Sequence, residues 1–255
     1  MHKLEENMGF EENKIEGRNA VLEAFRSGKT IDKLFVLDGC QDGPIKSITR
    51  EARKGDTIIN YVNKERLDQI SETGKHQGVI AISAAYDYAE VEDILANAEK
   101  KGESPFIIIL DGIEDPHNLG AIIRTANQAG AHGIIIPKRR AVGLTPTVAR
   151  TSAGAINYTP VAKVTNITQT IKELKDKGMW FVCADMDGTP MYDLNLTGSI
   201  GLVIGNEGDG VSKLVKENCD MIATIPMKGD IDSLNASVAT GVLAYEIVRQ
   251  RLGKK

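Results

Sequence analysis

The sequence has few cysteines, few aromatic residues, no long apolar run and no strong excess of one charge. Its 255 residues include three cysteines that lie far apart, which argues against a disulfide framework or a zinc ribbon. No apolar run approaches the roughly 20 residues of a membrane span, and residues 1–10 do not resemble a signal segment. Four scattered histidines predict no metal site. We therefore expect a soluble, cytoplasmic protein with no bound metal and no membrane partner.

Charge is distributed unevenly along the chain. The net charge is −4, whereas residues 138–178 contain eight basic and two acidic residues. Arg139, Arg140 and Arg150 lie in this basic segment. Such a segment favours contact with a polyanion, because phosphate contacts supply most sequence-independent affinity for nucleic acid. The alternative, a solvated loop and helix face, is at least as compatible with composition alone.

The pattern of apolar residues predicts two α/β units. Residues 1–13 are expected to be a flexible tail, and short helix and strand patterns alternate over residues 14–85. Residues 86–104 predict a linker with one helix. Residues 105–255 alternate buried strands with helices, which is typical of a mostly parallel sheet covered on both faces. Among these, Phe106–Leu110 is a continuous apolar run that predicts a strand buried on both faces. Another strand is predicted at Trp180–Ala184, and the last helix is predicted over about 232–251.

Three loops follow predicted strands of the second unit, at the edge where open α/β sheets bind ligands. In the first, Asn118 stands where a helix would begin, and taken alone it is more readily interpreted as a helix cap than as a functional residue. Arg124 lies off the apolar face of that helix, and a lone helical arginine is usually solvated.

The second loop, residues 205–210, is rich in glycine. Its order of glycines differs from the dinucleotide-binding pattern, so a turn and a ligand loop remain equally open. Glu207 is an unusual residue for a mere turn. The third loop, residues 225–237, contains Ser233 and Asn235, which compete as caps of the last helix.

Together the three loops resemble the SpoU (TrmH-type) family of RNA ribose 2′-O-methyltransferases in the SPOUT superfamily. The matching motifs are D-x-x-x-D-P-x-N-x-G-x-x-x-R at 111–124, L-V-I-G-x-E-G-x-G at 202–210 and I-P-M-x-G-x-x-x-S-L-N-x-S-x-A at 225–239. Residues 15–85, which begin with I-E-G-R-N-A-V and end near H-Q-G-V, resemble the ribosomal-protein-L30e-like RNA-binding domain of many members.

The resemblance implies a SPOUT-type parallel-sheet domain with a carboxyl-terminal trefoil knot, preceded by the small L30e-like domain. It also implies a homodimer and S-adenosylmethionine as the methyl donor. Gly205, Ile225 and Leu234 would bind that cofactor. The residues implied in catalysis are Asn118, Arg124, Glu207, Ser233 and Asn235, and RNA contacts are expected from Arg139, Arg140 and Arg150.

The expected reaction is methylation of a guanosine ribose in 23S rRNA, which makes that RNA the expected partner. The same chemistry on tRNA or at another rRNA site is an alternative. A non-catalytic, knotted RNA-binding protein that assists ribosome assembly is an alternative of a different class. The complete motifs, including Arg124 and Glu207, favour the enzyme, since a binding protein would tolerate their loss.

Overall fold

The computed structural model describes residues 13–231 and 233–253 and divides the chain into two compact units. The first unit contains the residues up to Asp87 together with Gly143–Thr147. The second contains Tyr88–Val142 and the chain from Val148 onward. The predicted tail lies outside the described residues except for Asn13, which begins a strand. None of the described helices is both long and apolar enough to cross a membrane.

A mixed four-stranded sheet with the order β1-β4-β2-β3 forms the first unit. Its elements are β1 (Asn13–Glu16), α1 (Arg18–Arg26), β2 (Ile31–Leu37), α2 (Gly43–Lys54), β3 (Ile58–Val62), α3 (Lys64–Ile70) and β4 (Val79–Ser83). Strands β2 and β3 are parallel, whereas β4 is antiparallel to both β2 and β1. Val21, Ile45 and Ile48 pack from the helices against one face, and Leu67 packs among β4 residues in a second cluster.

The two end motifs of this unit meet in space. The backbone N–H of Arg18 donates to Gln77 Oε1 at 3.1 Å, and Arg18 Nε donates to the Gln77 carbonyl at 3.1 Å. The Asp42 carboxylate forms an ion pair with the same guanidinium, with 2.7 Å between Asp42 Oδ2 and Arg18 Nη2. The segments I-E-G-R and H-Q-G-V, on which the resemblance of this unit rests, therefore form one loop cluster, although they lie about 60 residues apart in the chain.

Six parallel strands in the order β10-β8-β9-β5-β6-β7 form the second unit. Its strands are β5 (Phe106–Asp111), β6 (Gly133–Pro137), β7 (Val161–Val164), β8 (Trp180–Pro190), β9 (Ile200–Gly205) and β10 (Met221–Thr224). Its helices are α4 (Val91–Lys101), α5 (Pro116–Gln128), α7 (Ile167–Asp176), α8 (Lys213–Glu217) and α9 (Ala236–Leu252), and α6 (Pro146–Thr151) enters it at Val148. The predicted parallel α/β fold is confirmed.

Helices cover both faces of this sheet. Ile107 and Ile109 of β5 are buried in a cluster with residues of α4, α7 and α8. Successive side chains of a strand point to opposite faces, so Phe106 and Ile108 lie on the other face, where Arg251 of α9 stacks over the Phe106 ring at 5.3 Å. Helices α5 and α9 pack against each other. This two-sided burial explains why β5 is a continuous apolar run.

Some predicted boundaries were wrong for local reasons. The helix placed in a linker is α4, whose Ile94 is fully buried in the core of the second unit. Strand β8 continues past the predicted end at Ala184 to Pro190, because its second half pairs with β10. Helix α9 begins at Ala236, later than the predicted start at 232. A strand order does not describe threading, so the trefoil knot stays a prediction.

Candidate active site

The loop after β9 is closed by its own backbone. The Gly210 N–H donates to the Asn206 carbonyl at 3.1 Å, and Asn206 Oδ1 accepts from the N–H groups of Gly208 and Asp209 at 2.9 and 2.7 Å. Asp111, at the end of β5, accepts the Ser212 N–H at 2.8 Å. This side-chain-to-backbone bonding is what favours Asn and Asp in turns, and it places Glu207 at the tip of a fixed loop.

Gly205 is required by this closure. A β-carbon at Gly205 would lie 2.0 Å from the carbonyl carbon of Gly210, far inside van der Waals contact. A β-carbon at Gly208 would meet nothing closer than Asn206 Oδ1 at 3.5 Å. Close backbone approach is a standard use of glycine. Within the protein itself, Gly205 therefore serves the packing of the loop, while Gly208 has space around it.

Helix α5 presents Asn118 to this loop. The helix begins at Pro116 and is capped by Asp115, whose side chain accepts the His117 N–H at 2.9 Å. The prediction that Asn118 caps the helix is therefore wrong, because proline suits the first helical position and the preceding aspartate supplies the cap. Asn118 lies inside the first turn, is buried, and has its side-chain amide available for other contacts.

Asn235 caps helix α9 and also reaches the other two loops. Its Oδ1 accepts from the Ser237 N–H at 2.9 Å. Its Nδ2 donates to Asn118 Oδ1 at 3.0 Å and to Glu207 Oε1 at 3.2 Å. Asn118 Nδ2 also donates to Glu207 Oε1. One residue from each of the three loops thus joins a single hydrogen-bonded cluster, which we call the Asn118–Glu207–Asn235 triad.

The bonding of the triad has only one consistent arrangement. Capping α9 requires the oxygen of the Asn235 amide, so its NH₂ group must point at Asn118 and Glu207. Asn118 must then accept with its oxygen and donate its own NH₂ group to Glu207. An ionised carboxylate is an acceptor only, which matches two donated bonds. Glu207 Oε2 makes no bond to any described residue and is left available.

Arg124 and Ser233 lie near these loops in sequence but outside the triad. Arg124 is exposed on α5, and in the described part of the chain it has no hydrogen bond or ion pair. The family resemblance also allows an ion pair between Glu207 and Arg124. Glu207 bonds instead to two amides and makes no bond to the Arg124 guanidinium. Ser233 is exposed and lines the cavity described next.

A cavity of about 800 Å³ opens beside the triad. Gly205, Ile225 and Leu234, the three residues implied in cofactor binding, all line it, and so does Glu207. No backbone–backbone hydrogen bond connects residues 225–230 with the rest of the described chain. Backbone polar groups without a protein partner are suited to reading a ligand. The volume falls in the range of small-molecule and cofactor sites.

An ion pair that sequence reasoning missed forms part of the cavity wall. Lys216 Nζ lies 2.8 Å from Asp185 Oδ2, and Asp185 Oδ1 accepts the Asp187 N–H at 3.1 Å. Burial would raise the pKa of Asp185, but the hydrogen bond from Lys216 and the Asp187 N–H hold it below its ordinary value. The bond to Asp185 raises the pKa of Lys216. Both groups are therefore charged. The position of Asp185, directly after the predicted end of β8, was the feature of the sequence that could have pointed to it as a site residue.

The three arginines of the basic segment are exposed. Arg139 and Arg140 lie after β6, and Arg140 adopts a left-handed conformation with φ of 55°. Arg150 lies in α6. The 3₁₀ turn at Ala155–Asn157, which follows α6, packs against α5. The middle of the basic segment is therefore next to the helix that bears Asn118 and Arg124.

Two sequence-family models match this chain. The sequence model of the SpoU rRNA Methylase family matches residues 105–245, and that of RNA 2′-O ribose methyltransferase substrate binding matches residues 14–89. YacO of Bacillus subtilis (strain 168), named as a TrmH family tRNA/rRNA methyltransferase, is 48% identical over 246 residues, which cover 96% of this chain and 98% of the relative.

Two solved structures share the fold over nearly the whole chain. The SpoU methyltransferase AviRb from Streptomyces viridochromogenes has a TM-score of 0.61 and 25% identity, covering 96% of this chain and 91% of its own. The AdoMet-bound rRNA methyltransferase from Sinorhizobium meliloti has a TM-score of 0.59 and 26% identity, covering 94% and 87%.

Proposed function

We propose that this chain, which belongs to the SpoU rRNA methylase family, methylates the 2′-oxygen of a guanosine ribose in 23S rRNA. As a member of that family it is an RNA 2′-O-ribose methyltransferase that uses S-adenosylmethionine. The choice of RNA and of nucleotide goes beyond family membership. The observation that carries the proposal is the meeting of Asn118, Glu207 and Asn235 at the mouth of the cavity lined by Gly205, Ile225 and Leu234.

The cavity fits the methyl donor. Ile225 and Leu234 offer apolar contact for an adenine ring, and the unbonded backbone of 225–230 offers donors and acceptors for its edge. When bound, the cofactor supplies an electrophilic methyl group for direct displacement by the ribose oxygen. The protein therefore mainly has to position the ribose, exclude water and help to remove one proton.

The Asn118–Glu207–Asn235 triad is proposed to receive the ribose. Two amide donors fix the position of the Glu207 carboxylate, and its Oε2 is available to accept the hydrogen bond of the 2′-hydroxyl. Asn118 is buried, so it anchors the carboxylate to α5. Ser233 lines the same cavity and is assigned a hydrogen bond to the ribose or to the neighbouring loop.

Arg124 is proposed to act as a clamp on the target phosphate and on the developing alkoxide. A guanidinium stays protonated at working pH, so it is a poor proton acceptor. Fixed positive charge placed where negative charge develops lowers the barrier without any proton transfer. The exposure of Arg124 on α5 leaves it accessible to a bound RNA.

RNA docking is assigned to both units. Arg139, Arg140 and Arg150 are proposed to contact phosphates around the target, and residues 14–85 to recognise a more distant part of the RNA. Base identity is then read from unpaired nucleotides, because an A-form helix hides its major groove. Such a substrate places the enzyme in the cytoplasm.

A homodimer is proposed on the basis of α9. This helix buries Leu243 and Ile247 in its own unit, yet Val238, Tyr245 and Leu252 are 50%, 50% and 64% exposed. A helix that is apolar on two faces usually packs against a partner on both. We propose that a second copy of this chain covers the exposed apolar face of α9, in the homodimer that the family resemblance implies. Sedimentation equilibrium of the wild type and of Tyr245→Lys tests it, and a monomeric wild type would contradict it.

The substrate is tested by methyl incorporation from labelled S-adenosylmethionine into purified 23S rRNA and, separately, bulk tRNA, followed by digestion to nucleosides. Labelled 2′-O-methylguanosine from 23S rRNA alone is expected. Label in tRNA instead would keep the reaction and overturn the proposed RNA. The name of the Bacillus relative, which covers tRNA and rRNA, makes tRNA the second candidate.

A further inference from the structure

We propose that the Asp185–Lys216 ion pair in the cavity wall recognises the amino-acid end of S-adenosylmethionine. Lys216 meets the α-carboxylate of the ligand, and Asp185 meets its α-ammonium group. The proposal rests on the assignment of this cavity to the cofactor, and it concerns residues outside the three motifs. It also divides the cavity into a part for the adenosine and a part for the amino acid.

The pair is fixed before any ligand binds. Lys216 Nζ and Asp185 Oδ2 are 2.8 Å apart, and their side chains are only 28% and 19% exposed. Asp185 is anchored further by the Asp187 N–H at 3.1 Å. The backbone N–H of Lys216 donates to the carbonyl of Ser212, the residue before α8, at 2.9 Å, and the Ser212 N–H donates to Asp111 at the end of β5.

Both members of the pair have unused bonding capacity. An ammonium group has three donors, and Lys216 uses one of them on Asp185. A carboxylate offers about four acceptor positions, of which Asp185 uses two on Lys216 and Asp187. The spare donors of Lys216 match a ligand carboxylate, and the spare lone pairs of Asp185 match a ligand ammonium. An α-amino acid carries both of these groups.

The rest of the cavity suits the adenosine instead. Ile204, Ile225 and Leu243 line it with apolar side chains. Ile225–Met227, Gly229 and Asp230 also line it, and their backbones make no hydrogen bond to another backbone group in the described chain. A neutral aromatic ring gains little from an ion pair, whereas an exposed backbone can read its edge. The charged wall at Asp185 and Lys216 is thus left for the charged end of the ligand.

Two ligands separate the subsites. S-adenosylhomocysteine has the amino-acid end, and 5′-methylthioadenosine has the same adenosine and sulfur without it. Isothermal titration of the full chain is expected to show that Lys216→Met and Asp185→Asn each lower the affinity for S-adenosylhomocysteine by about tenfold or more, because each removes a charge-assisted bond. Binding of 5′-methylthioadenosine should stay within about twofold of the wild type.

The controls make the outcome decisive. Lys213→Met removes another lysine of α8, one that is 90% exposed and outside the cavity, and should change neither affinity. Each single variant also leaves one charge of the pair without its partner, whereas the double variant Asp185→Asn/Lys216→Met does not. If the losses come from missing contacts with the ligand, the double variant should not regain affinity for S-adenosylhomocysteine.

Equal losses of affinity for both ligands would overturn the proposal in favour of ribose contact or cavity shape. Unchanged affinity of the single variants for S-adenosylhomocysteine would also overturn it, and so would recovery of that affinity in the double variant. A wild type that binds neither ligand would instead overturn the cofactor assignment itself.

Discussion

Asn235 Nδ2 donates a hydrogen bond to Asn118 Oδ1 at 3.0 Å, although 117 residues separate the two in the chain. The bond joins the cap of α9 to the first turn of α5, and both amides converge on one oxygen of Glu207. The Oδ1 of Asn235 thus has a structural role as the cap of α9, and its Nδ2 has the proposed functional role of holding Asn118 and Glu207. This division makes the two tasks separable by mutation.

Asn235→Asp should retain the helix cap and lose the function. Aspartate still accepts the Ser237 N–H, but it cannot donate to Glu207 and it places a second carboxylate there. We expect single-turnover methyl transfer to fall by about 10- to 100-fold, the worth of one or two bonds to a charged group, with little change in Tm. Asn235→Ala should lose the same activity and also about 1 kcal/mol of stability. Full methyl transfer by Asn235→Asp would return Asn235 to a purely structural role.

Arg124→Lys tests the proposed clamp. Lysine keeps the positive charge but has no planar pair of donors, so a bidentate contact with phosphate is lost. We expect the single-turnover rate to fall by about 10-fold or more while the Kd for S-adenosylhomocysteine is unchanged. Lys100→Arg, the reverse exchange at an exposed helical residue of the second unit, is the control. A nearly full rate for Arg124→Lys would contradict bidentate clamping.

The basic segment should set the salt dependence of RNA binding. Each phosphate contact to single-stranded RNA contributes about 0.7 to the slope of log K against log salt. We expect Arg139→Gln and Arg140→Asn each to reduce that slope, asparagine being chosen because it tolerates the left-handed backbone at Arg140. Filter binding between low and high salt measures it, with Lys100→Gln at an exposed lysine of α4 as the comparison. A wild-type affinity that hardly changes with salt would refute the assignment.

Gly205→Ala and Gly208→Ala form a matched pair of loop substitutions. The added methyl group at Gly205 collides with the backbone of Gly210, whereas the one at Gly208 meets only ordinary contacts. We expect Gly205→Ala to lower the affinity for S-adenosylhomocysteine by about tenfold or more, because the loop that lines the cavity must move. Gly208→Ala should bind within about threefold of the wild type. The idea fails if the two variants bind alike in isothermal titration.

His132 should make the second unit sensitive to mild acid. It is fully buried, its Nδ1 accepts the Phe106 N–H at 2.9 Å, and its Nε2 lies 3.0 Å from Glu103. Burial lowers the pKa of His132, and the bond to Glu103 only partly opposes this. A lowered pKa means that the folded state binds fewer protons than the unfolded state. The stabilisation is therefore present above the unfolded value near 6.5 and is lost as the pH falls below it.

Urea denaturation between pH 7.5 and 5 measures this effect. The wild type should lose stability over that interval more steeply than His132→Gln, which has no titrating ring. Parallel curves for the two proteins would show that other groups cause the loss.

Much of the fold followed from the sequence. The continuous apolar run at Phe106–Leu110 predicted a strand buried on both faces, and it is the centre of a parallel sheet with helices on both sides. The three motifs were placed correctly at the carboxyl ends of strands. These features depend on residues within one turn or one strand of each other, so periodicity and turn residues are sufficient to predict them.

Local competition between neighbouring residues misled the prediction at Asn118. Asparagine is a favoured cap, but Asp115 followed by Pro116 is a stronger start, and this moves Asn118 into the helix. In the same way, β8 extends beyond Ala184 only because β10 is there to pair with it. Such boundaries depend on which of several permitted conformations the rest of the protein supports.

The motifs and their periodicity are enough to predict which residues belong to the site and which elements carry them. Which of these residues meet depends on the order of the strands in the folded sheet. Strand β9 lies between β8 and β5 in the sheet, so the loops that follow these strands share one edge. Glu207 therefore bonds Asn118 and Asn235, and Asp185 faces Lys216 across the cavity wall. Strand order is set by the packing of the whole sheet, and no local pattern of residues encodes it.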